Sequence, residues 1–302
     1  MNNHITVFSD HLYLIELKPP LPGFDHFIST WVYKGEHTFI VDVGPSITAP
    51  QLIEALASLH IHALDYILLT HIHIDHGGGL GDIADHFKDT PIVCHEGGIP
   101  HMVSPERLYR GSVKTLGKTA ETYGPIKPVP EHRFIPAQAF SQGGIVPIIT
   151  PGHAPHHVSY MKDNYLFAGE AGGVSLPVQG PEEYLRPATP PRFFLDTYVK
   201  SIDTLIEAAP HILCYGHFGL KENGPAMLEQ NKSQLFLWRD LIGDRIAHKE
   251  KDPDWYETVI RLVLDKDPSM AGFSHLDEPV QAREKGFIKN AIMGFEGYLK
   301  NR

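Results

Sequence analysis

Four times along this chain a short apolar run, the pattern of a buried strand, ends on a histidine or an acid set among glycines. Residues 66–69 run into Thr70-His71-Ile72-His73-Ile74-Asp75-His76-Gly77-Gly78-Gly79, and 145–150 into Pro151-Gly152-His153. Residues 165–168 run into Gly169-Glu170, and 212–215 into Gly216-His217-Phe218-Gly219. Strand ends are rigid, and the loops that leave them converge on one rim of a sheet. Any fold this chain adopts has to place four such rims usefully, and a shared one is the economical solution.

The residue types at those rims have a chemistry in common. Neutral imidazole is a good ligand for zinc and iron, and carboxylate adds charge and bridges two ions. In a turn leaving a strand, His71 and His73 face the same way because alternate residues share a side. Asp75 and His76 follow the bend and are available to a second position, after which the glycines let the backbone turn tightly. His153 is the candidate for a further ligand to the first ion, Glu170 for a shared carboxylate, and His217 for completing the second ion. A water held between two cations ionises near neutral pH and becomes a nucleophile. Asp75 would then hold a metal and orient that nucleophile, taking its proton.

The remaining pattern frames these rims. Residues 27–33 and 38–43 flank a turn at 34–37 and read as a hairpin. Residues 50–59 carry Leu52, Ile53, Leu56 and Leu59 at helical spacing. Helices are expected over 81–87, 104–124 and 194–208, and strands over 91–94 and 158–161. The segment 172–192 holds Pro177, Pro181, Pro187, Pro190 and Pro191 and reads as an extended, stiff loop crossing the mouth of the site. Past Gly219 the character turns helical: 225–248, 255–264 and 286–299, the last presenting Phe287, Ile288, Ala291, Ile292 and Phe295 on one face. This divides the chain into a catalytic domain over 1–222 and a helical C-terminal region over 223–302 packed on it, with a homodimer surface as the other use of those helices. His156, His26, His95 and His101 are expected as exposed or loop residues, and Tyr184, Arg186, Arg192 and Phe193 as structural contacts.

Composition closes off several classes. At 302 residues with 42% hydrophobic and 21% charged side chains, the chain is long and apolar enough for a substantial core. Its formal charge of −10 argues against a sequence-independent nucleic-acid surface. No apolar run approaches the roughly 20 residues of a membrane span, and Met1-Asn2-Asn3-His4 does not read as a signal peptide. A cytoplasmic location and a small-molecule substrate, without nucleic acid or membrane, are the expectation. Cys94 and Cys214 share no short motif and are expected as buried thiols.

Taken together, Val41-Asp42-Val43-Gly44, the Thr70–Gly79 motif and the Gly-His, Gly-Glu and Gly-His pairs at 152–153, 169–170 and 216–217 resemble the metallo-β-lactamase superfamily, over residues 25 to 220. The stretches 168–173, 176–177 and 186–191 resemble a prokaryotic branch of its glyoxalase II-like group. That resemblance implies an α/β fold, a four-layer αββα metallo-β-lactamase-like sandwich, here with a C-terminal helical appendage. It implies that His71, His73 and His153 hold one divalent metal ion and Asp75, His76 and His217 a second, zinc first, with iron or manganese as alternatives. Glu170 matches the usual bridging aspartate, one methylene longer. Asp42 would orient the histidine loop, and His157 matches a supporting histidine. The implied function is a metal-dependent hydrolase that uses a metal-bound hydroxide on an ester, thioester or lactone-type substrate. An iron-dependent sulfur dioxygenase and a ligand-binding effector with little turnover are the alternatives. His73, where the diiron flavoproteins usually carry glutamate, disfavours the flavin-linked branch, and residues 223–302 lack the basic glutathione-binding tail motif of glyoxalase II.

Overall fold

The computed structural model describes residues 4–300; residues 1–3, where the sequence read as no leader, and 301–302 lie outside them. The first sheet runs in chain order through β1 (Ile5–Val7), β2 (Leu12–Leu17), β3 (Ile28–Lys34), β4 (Thr38–Val41), β5 (Tyr66–Leu68), β6 (Ile92–Cys94) and β7 (Phe134–Pro136). β1 to β4 form an antiparallel meander, and β4 to β7 are parallel. Parallel neighbours need a crossover. The crossovers are α1 (Ala49–Ser58) after β4, α2 (Ile74–Gly77) and α3 (Leu80–His86) after β5, and α4 (Ile99–Val103), α5 (Glu106–Leu116) and α6 (Lys118–Tyr123) after β6.

The second sheet is built from β8 (Ile145–Ile149), β9 (Val158–Lys162), β10 (Tyr165–Gly169), β13 (Ile212–Tyr215) and β14 (Leu220–Glu222), in the order β14-β13-β10-β9-β8. β10 and β13 are parallel, bridged by α7 (Leu195–Glu207). Between β10 and α7 a separate hairpin pairs β11 (Val174–Leu176) with β12 (Tyr184–Arg186).

Strand alternation explains the layering. Trp31, Phe39, Leu68 and Val93 from the first sheet meet Tyr160, Phe167 and Cys214 from the second in one buried cluster. The opposite strand faces, with Val32, Ile40 and Ile67 on one sheet and Leu166 and Leu213 on the other, join the helices in a larger cluster. It takes in Leu52 and Leu56 of α1, Ile83 of α3 and Tyr198, Ile202 and Leu205 of α7. The fold is therefore α/β, a four-layer αββα sandwich, with further helices at its C-terminal end.

Those helices are α8 (Gly224–Ile246), α9 (Trp255–Lys266) and α10 (Glu278–Lys300), and their Trp238, Val259, Ile292 and Phe295 belong to the same large cluster. Buried Asp267, just past α9, accepts from Gln234 Nε2 at 2.7 Å and Trp238 Nε1 at 2.6 Å, both on α8. α10 is tied to β12 by a buried charge group: Arg186 Nε meets Glu284 Oε2 at 2.5 Å, Tyr184 donates to the same oxygen at 2.7 Å, and Arg283 lies 2.9 Å from Oε1. Burial pushes the Glu284 carboxyl up, but Arg186 and then Arg283 outweigh it and hold it below its usual range.

Three expectations need correction. The segment 172–192 is not an extended loop throughout, because it holds the β11–β12 hairpin, all six of whose residues are buried. Pro177 and Pro181 fall in the connection between the strands, where no ladder donor is needed, and three-residue strands are too short to show a period. The expected 104–124 helix breaks at Gly117, whose φ of +55° no helix continues through. The last helix starts not at 286 but at Glu278, with Pro279 in its first turn, where a missing N–H costs nothing.

Candidate metal site

β4, β5, β8, β10 and β13 all end at one edge of the sandwich, and each end delivers a polar side chain. After β5 the chain runs extended to His73 (φ −60°, ψ 151°) and then makes the single turn α2, with Asp75 and His76 inside it. Backbone bonds from Val43 N to His76 O (2.8 Å) and from Val158 N to Thr70 O (2.8 Å) pin this segment to both sheets. Two donor groups result, each within 4.8 Å internally: His71, His73, His153 and Glu170 in one, and Asp75, His76 and His217 in the other. The sequence-derived candidates thus converge. His73 and Asp75 are half-buried and the other five buried.

Glu170 stands between the two sets. Its Oε2 lies 2.8 Å from His153 Nε2, 3.5 Å from His71 Nε2 and 3.7 Å from His76 Nε2, while its Oε1 lies 3.2 Å from His217 Nε2. The carboxylate therefore reaches both groups. His217 stacks on Phe27 with ring centroids 4.0 Å apart and 12° between planes.

The hydrogen bonds behind the rings fix where the protons sit. Asp42 Oδ1 accepts from Thr70 N (2.8 Å), and its Oδ2 accepts from Thr70 Oγ1 (2.7 Å) and His76 Nδ1 (2.8 Å). With its own proton given to Asp42, Thr70 Oγ1 accepts from His71 Nδ1 at 3.0 Å. His153 Nδ1 donates to Ala188 O at 2.9 Å. His71, His76 and His153 therefore carry a proton on Nδ1 and turn Nε2 into the cluster. His71 Nε2 and His153 Nε2 both lie 3.0 Å from His73 Nδ1, which has at most one proton to offer two lone pairs. His76 Nε2 is buried with no hydrogen-bond partner. Lone pairs converging on one another and on a carboxylate repel unless a cation lies among them, so these residues fit divalent metal ions.

The charge states of His71, His73 and Glu170 agree. Burial first, then the neighbouring imidazoles His76 and His73, hold His71 well below its usual value. Burial and His153 bring His73 down to about 3. Burial works against ionised Glu170, but His153 and His217 hold its carboxyl well below the usual range. Burial likewise opposes charge on His76, yet Asp42 and Asp75 raise it to about 9, so a cation arriving at Nε2 displaces a proton.

Some neighbours were less legible. His156 is not an exposed loop residue: it is half-buried on the cavity wall, its Nδ1 is without a partner, and burial takes its pKa down to about 4. His157 supports Glu170 through a directed chain. Glu170 N–H donates to His157 Nε2 (3.1 Å), so Nδ1 carries the proton and donates to Thr150 Oγ1 (2.8 Å); Thr150 pairs with Ser159 Oγ (3.1 Å), which donates to Ala168 O (3.0 Å). Tyr198 of α7 donates to Glu170 O, a contact no local motif announces. Tyr123 of α6 and Asn290 of α10 line the cavity beside the site without any sequence signal, and Phe287 and Ala291, legible only as part of an apolar helix face, line it too. That cavity has a volume of about 450 Å³ and reaches His73, Asp75, His153, Glu170 and His217. Cys94 and Cys214 are buried and unpaired.

The family model of the metallo-beta-lactamase superfamily matches residues 24–217, a span that contains every donor of both groups. The chain belongs to that superfamily. Among the relatives of this superfamily member, a metallo-beta-lactamase fold-containing protein of Sulfurisphaera tokodaii is 29% identical over 223 residues, 70% of this chain and 80% of that one. A hydroxyacylglutathione hydrolase of Yersinia enterocolitica is 30% identical over 154 residues, a match that spans half of each chain (50% and 49%). Among solved structures, an archaeal superfamily protein from Sulfolobus tokodaii superposes with a TM-score of 0.62 at 29% identity, over 75% of this chain and 86% of that one. A superfamily protein of Thermus thermophilus shares the fold over 98% of this chain and 95% of its own, with a TM-score of 0.59 at 20% identity. Among the described residues no helix is long and apolar enough to cross a membrane.

Proposed function

We propose that the protein is a metal-dependent hydrolase of small-molecule esters, thioesters or lactones. The observation that carries this is the set of Nδ1 protons held by Asp42, Thr70 and Ala188, which leaves Nε2 lone pairs directed at Glu170. His71, His73 and His153 would hold one divalent cation, zinc first, and Asp75, His76 and His217 a second, with Glu170 between them. The pair, once bound, supplies Lewis acidity for carbonyl polarisation and water activation. The chain's own residues do the rest. Asp42 keeps the His76 proton on Nδ1, His157 and Tyr198 hold the Glu170 backbone, and Asp75 on the cavity wall takes a proton from the attacking water. Water oxygen joins the acyl carbon, the C–O or C–S bond breaks, and a carboxylic acid leaves with an alcohol or thiol. The thioester branch has support from the name of the Yersinia relative, although the match spans half of that protein. The test is turnover on an ester, thioester and lactone panel by the zinc-loaded protein, before and after exhaustive chelation with elemental analysis. Activity on the panel that disappears with the metal is expected; activity unchanged in metal-free protein would sink the reading.

A further inference from the structure

The wall of the cavity away from the metal site is built largely by one helix, and that helix contains a glycine that its backbone does not require. On α5, Leu108, Gly111, Ser112, Thr115 and Leu116 all line the cavity, the spacing of one helical face. No residue of α5 is fully buried: Leu108 and Leu116 are half-buried against the edge of the core, while Gly111 and Thr115 between them are exposed to the cavity. The hydroxyls on this stripe are already used: Ser112 donates to Leu108 O (3.1 Å) and Thr115 to Gly111 O (3.0 Å), within the helix itself. What the stripe offers a ligand is therefore mainly hydrocarbon. Elsewhere the wall adds apolar Ala188, Pro190, Phe287 and Ala291, while its polar lining includes Arg107 at the start of α5, Arg186, held by Glu284, and Asn290.

Gly111 stands in the interior of this helix. It is outside the positive-φ residues, so its backbone suits any amino acid, and a Cβ built on it would meet nothing within 4 Å. Glycine in a helix interior is destabilising relative to alanine. Neither backbone geometry nor packing returns that cost. What the missing side chain does leave is empty space inside the cavity, and among the described residues Gly111 is the glycine on that wall. Gly286 of α10 is equally open but does not line the cavity, so it is the place of Gly111 on the cavity wall, together with the loss in helix stability, that points to function.

We propose that the substrate carries an extended apolar acyl group, that this group lies along the α5 face, and that Gly111 sets the room available to it. The inference rests on the hydrolase reading above and narrows its substrate class. Short acyl groups would reach the metal site without touching Gly111, whereas long ones would need the space over it.

The experiment uses the zinc-loaded full chain and p-nitrophenyl acetate and decanoate, with decanoate and acetate binding followed separately by calorimetry. Gly111→Phe is expected to lower kcat/KM for the decanoyl ester by about 10-fold or more, the scale on which apolar pockets discriminate size, and to leave the acetyl ester nearly unchanged. Thr115→Phe, one turn along the same face, is expected to do the same, and guards against a folding defect in either variant. Gly111→Ala is expected to raise Tm by about 2 °C. Equal effects on both esters, or none, in two folded variants would overturn the proposal. If the wild type hydrolyses neither ester, the binding arm decides the cavity assignment, and the hydrolase reading fails only if the thioesters and lactones are left intact as well. Decanoate bound by the wild type and lost in Gly111→Phe upholds it, and decanoate not bound by the wild type ends it.

Discussion

Replacing Asp42 with asparagine keeps the shape of the side chain and its tolerance of the left-handed backbone found there (φ +59°), and turns one acceptor into a donor. Asp42 is 2% exposed and receives three donors, Thr70 N, Thr70 Oγ1 and His76 Nδ1. An asparagine has two ways to sit. With its oxygen toward Thr70 Oγ1 and His76, its NH₂ faces the Thr70 N–H, and two buried donors lose their acceptor. With the amide turned over, the NH₂ faces His76 Nδ1, which has to give up its proton; the proton moves to Nε2 and occupies the lone pair aimed at the cluster. One charge-assisted bond is lost in either case, about 1.5–3 kcal/mol, and an unpaired buried donor adds about 1–3 kcal/mol. Partial relaxation makes a net loss of about 2–4 kcal/mol the expectation. In the second orientation the Asp75–His76–His217 group also loses a ligand atom, and loss of such a supporting contact typically weakens metal affinity 10–100-fold. Urea unfolding in excess chelator measures the first quantity, and zinc titration against a chromophoric chelator measures the second. An asparagine variant with wild-type stability and two zinc affinities unchanged would refute the proton placement argued for His76, and with it the assignment of Asp42.

The other perturbations act on the supports of the site. Glu284→Gln leaves Arg186 and Arg283 buried without a carboxylate and is expected to cost about 3–5 kcal/mol at pH 7. Because the folded pKa of Glu284 lies below its usual value of 4.5, the wild-type advantage is present above pH 4.5 and shrinks as pH falls below it; denaturant midpoints at pH 7, 5 and 4 check this, and a difference independent of pH would contradict it. Gly169→Ala puts a Cβ 2.4 Å from His157 Nε2 at a φ of +56°, so a loss of roughly 2–4 kcal/mol is expected. Its melting curve and zinc stoichiometry test whether the Glu170 loop moves, and a variant that melts and binds like the wild type would show that it does not.

What could be read in advance, and what could not, divides along the range of the interactions. His71, His73, Asp75 and His76 sit within six positions, and each later donor follows an apolar strand directly, so local pattern was enough to bring them together. The hairpin at 174–186 was hidden because its strands are three residues long and its prolines lie in the connection rather than the ladder. His156 was misplaced for another reason. A histidine in a loop between Pro155 and the next strand looks exposed, and its place on a cavity wall shared with His101 of α4 and Leu108 of α5 depends on residues far from it in the chain. The cavity contacts of Phe287 and Asn290 lie seventy residues or more from His217, the nearest donor in the chain, and depend on how α10 packs. Periodicity identified that helix and its apolar face, but it does not say which cleft the end of the helix overlooks.

The C-terminal helices change how Glu170 is understood. A glutamate is longer than the aspartate usual at this place, so the backbone behind it needs a defined position if one carboxylate is to reach His153 and His217 together. Three contacts supply that position, and two come from helices. Tyr198 of α7 donates to the Glu170 carbonyl, Asn231 of α8 donates to Ala171 O at 3.3 Å, and His157 accepts from the Glu170 N–H. Asn231 is itself fully buried among the residues that join α8 to the sandwich. Loosening α8 would therefore release the Glu170 loop before it disturbed His71 or His76, whose supports lie in the first sheet. The residues past 223 are thus coupled to the half of the site built on Glu170, and damage there should separate Glu170 from the histidines rather than unmake the histidine cluster.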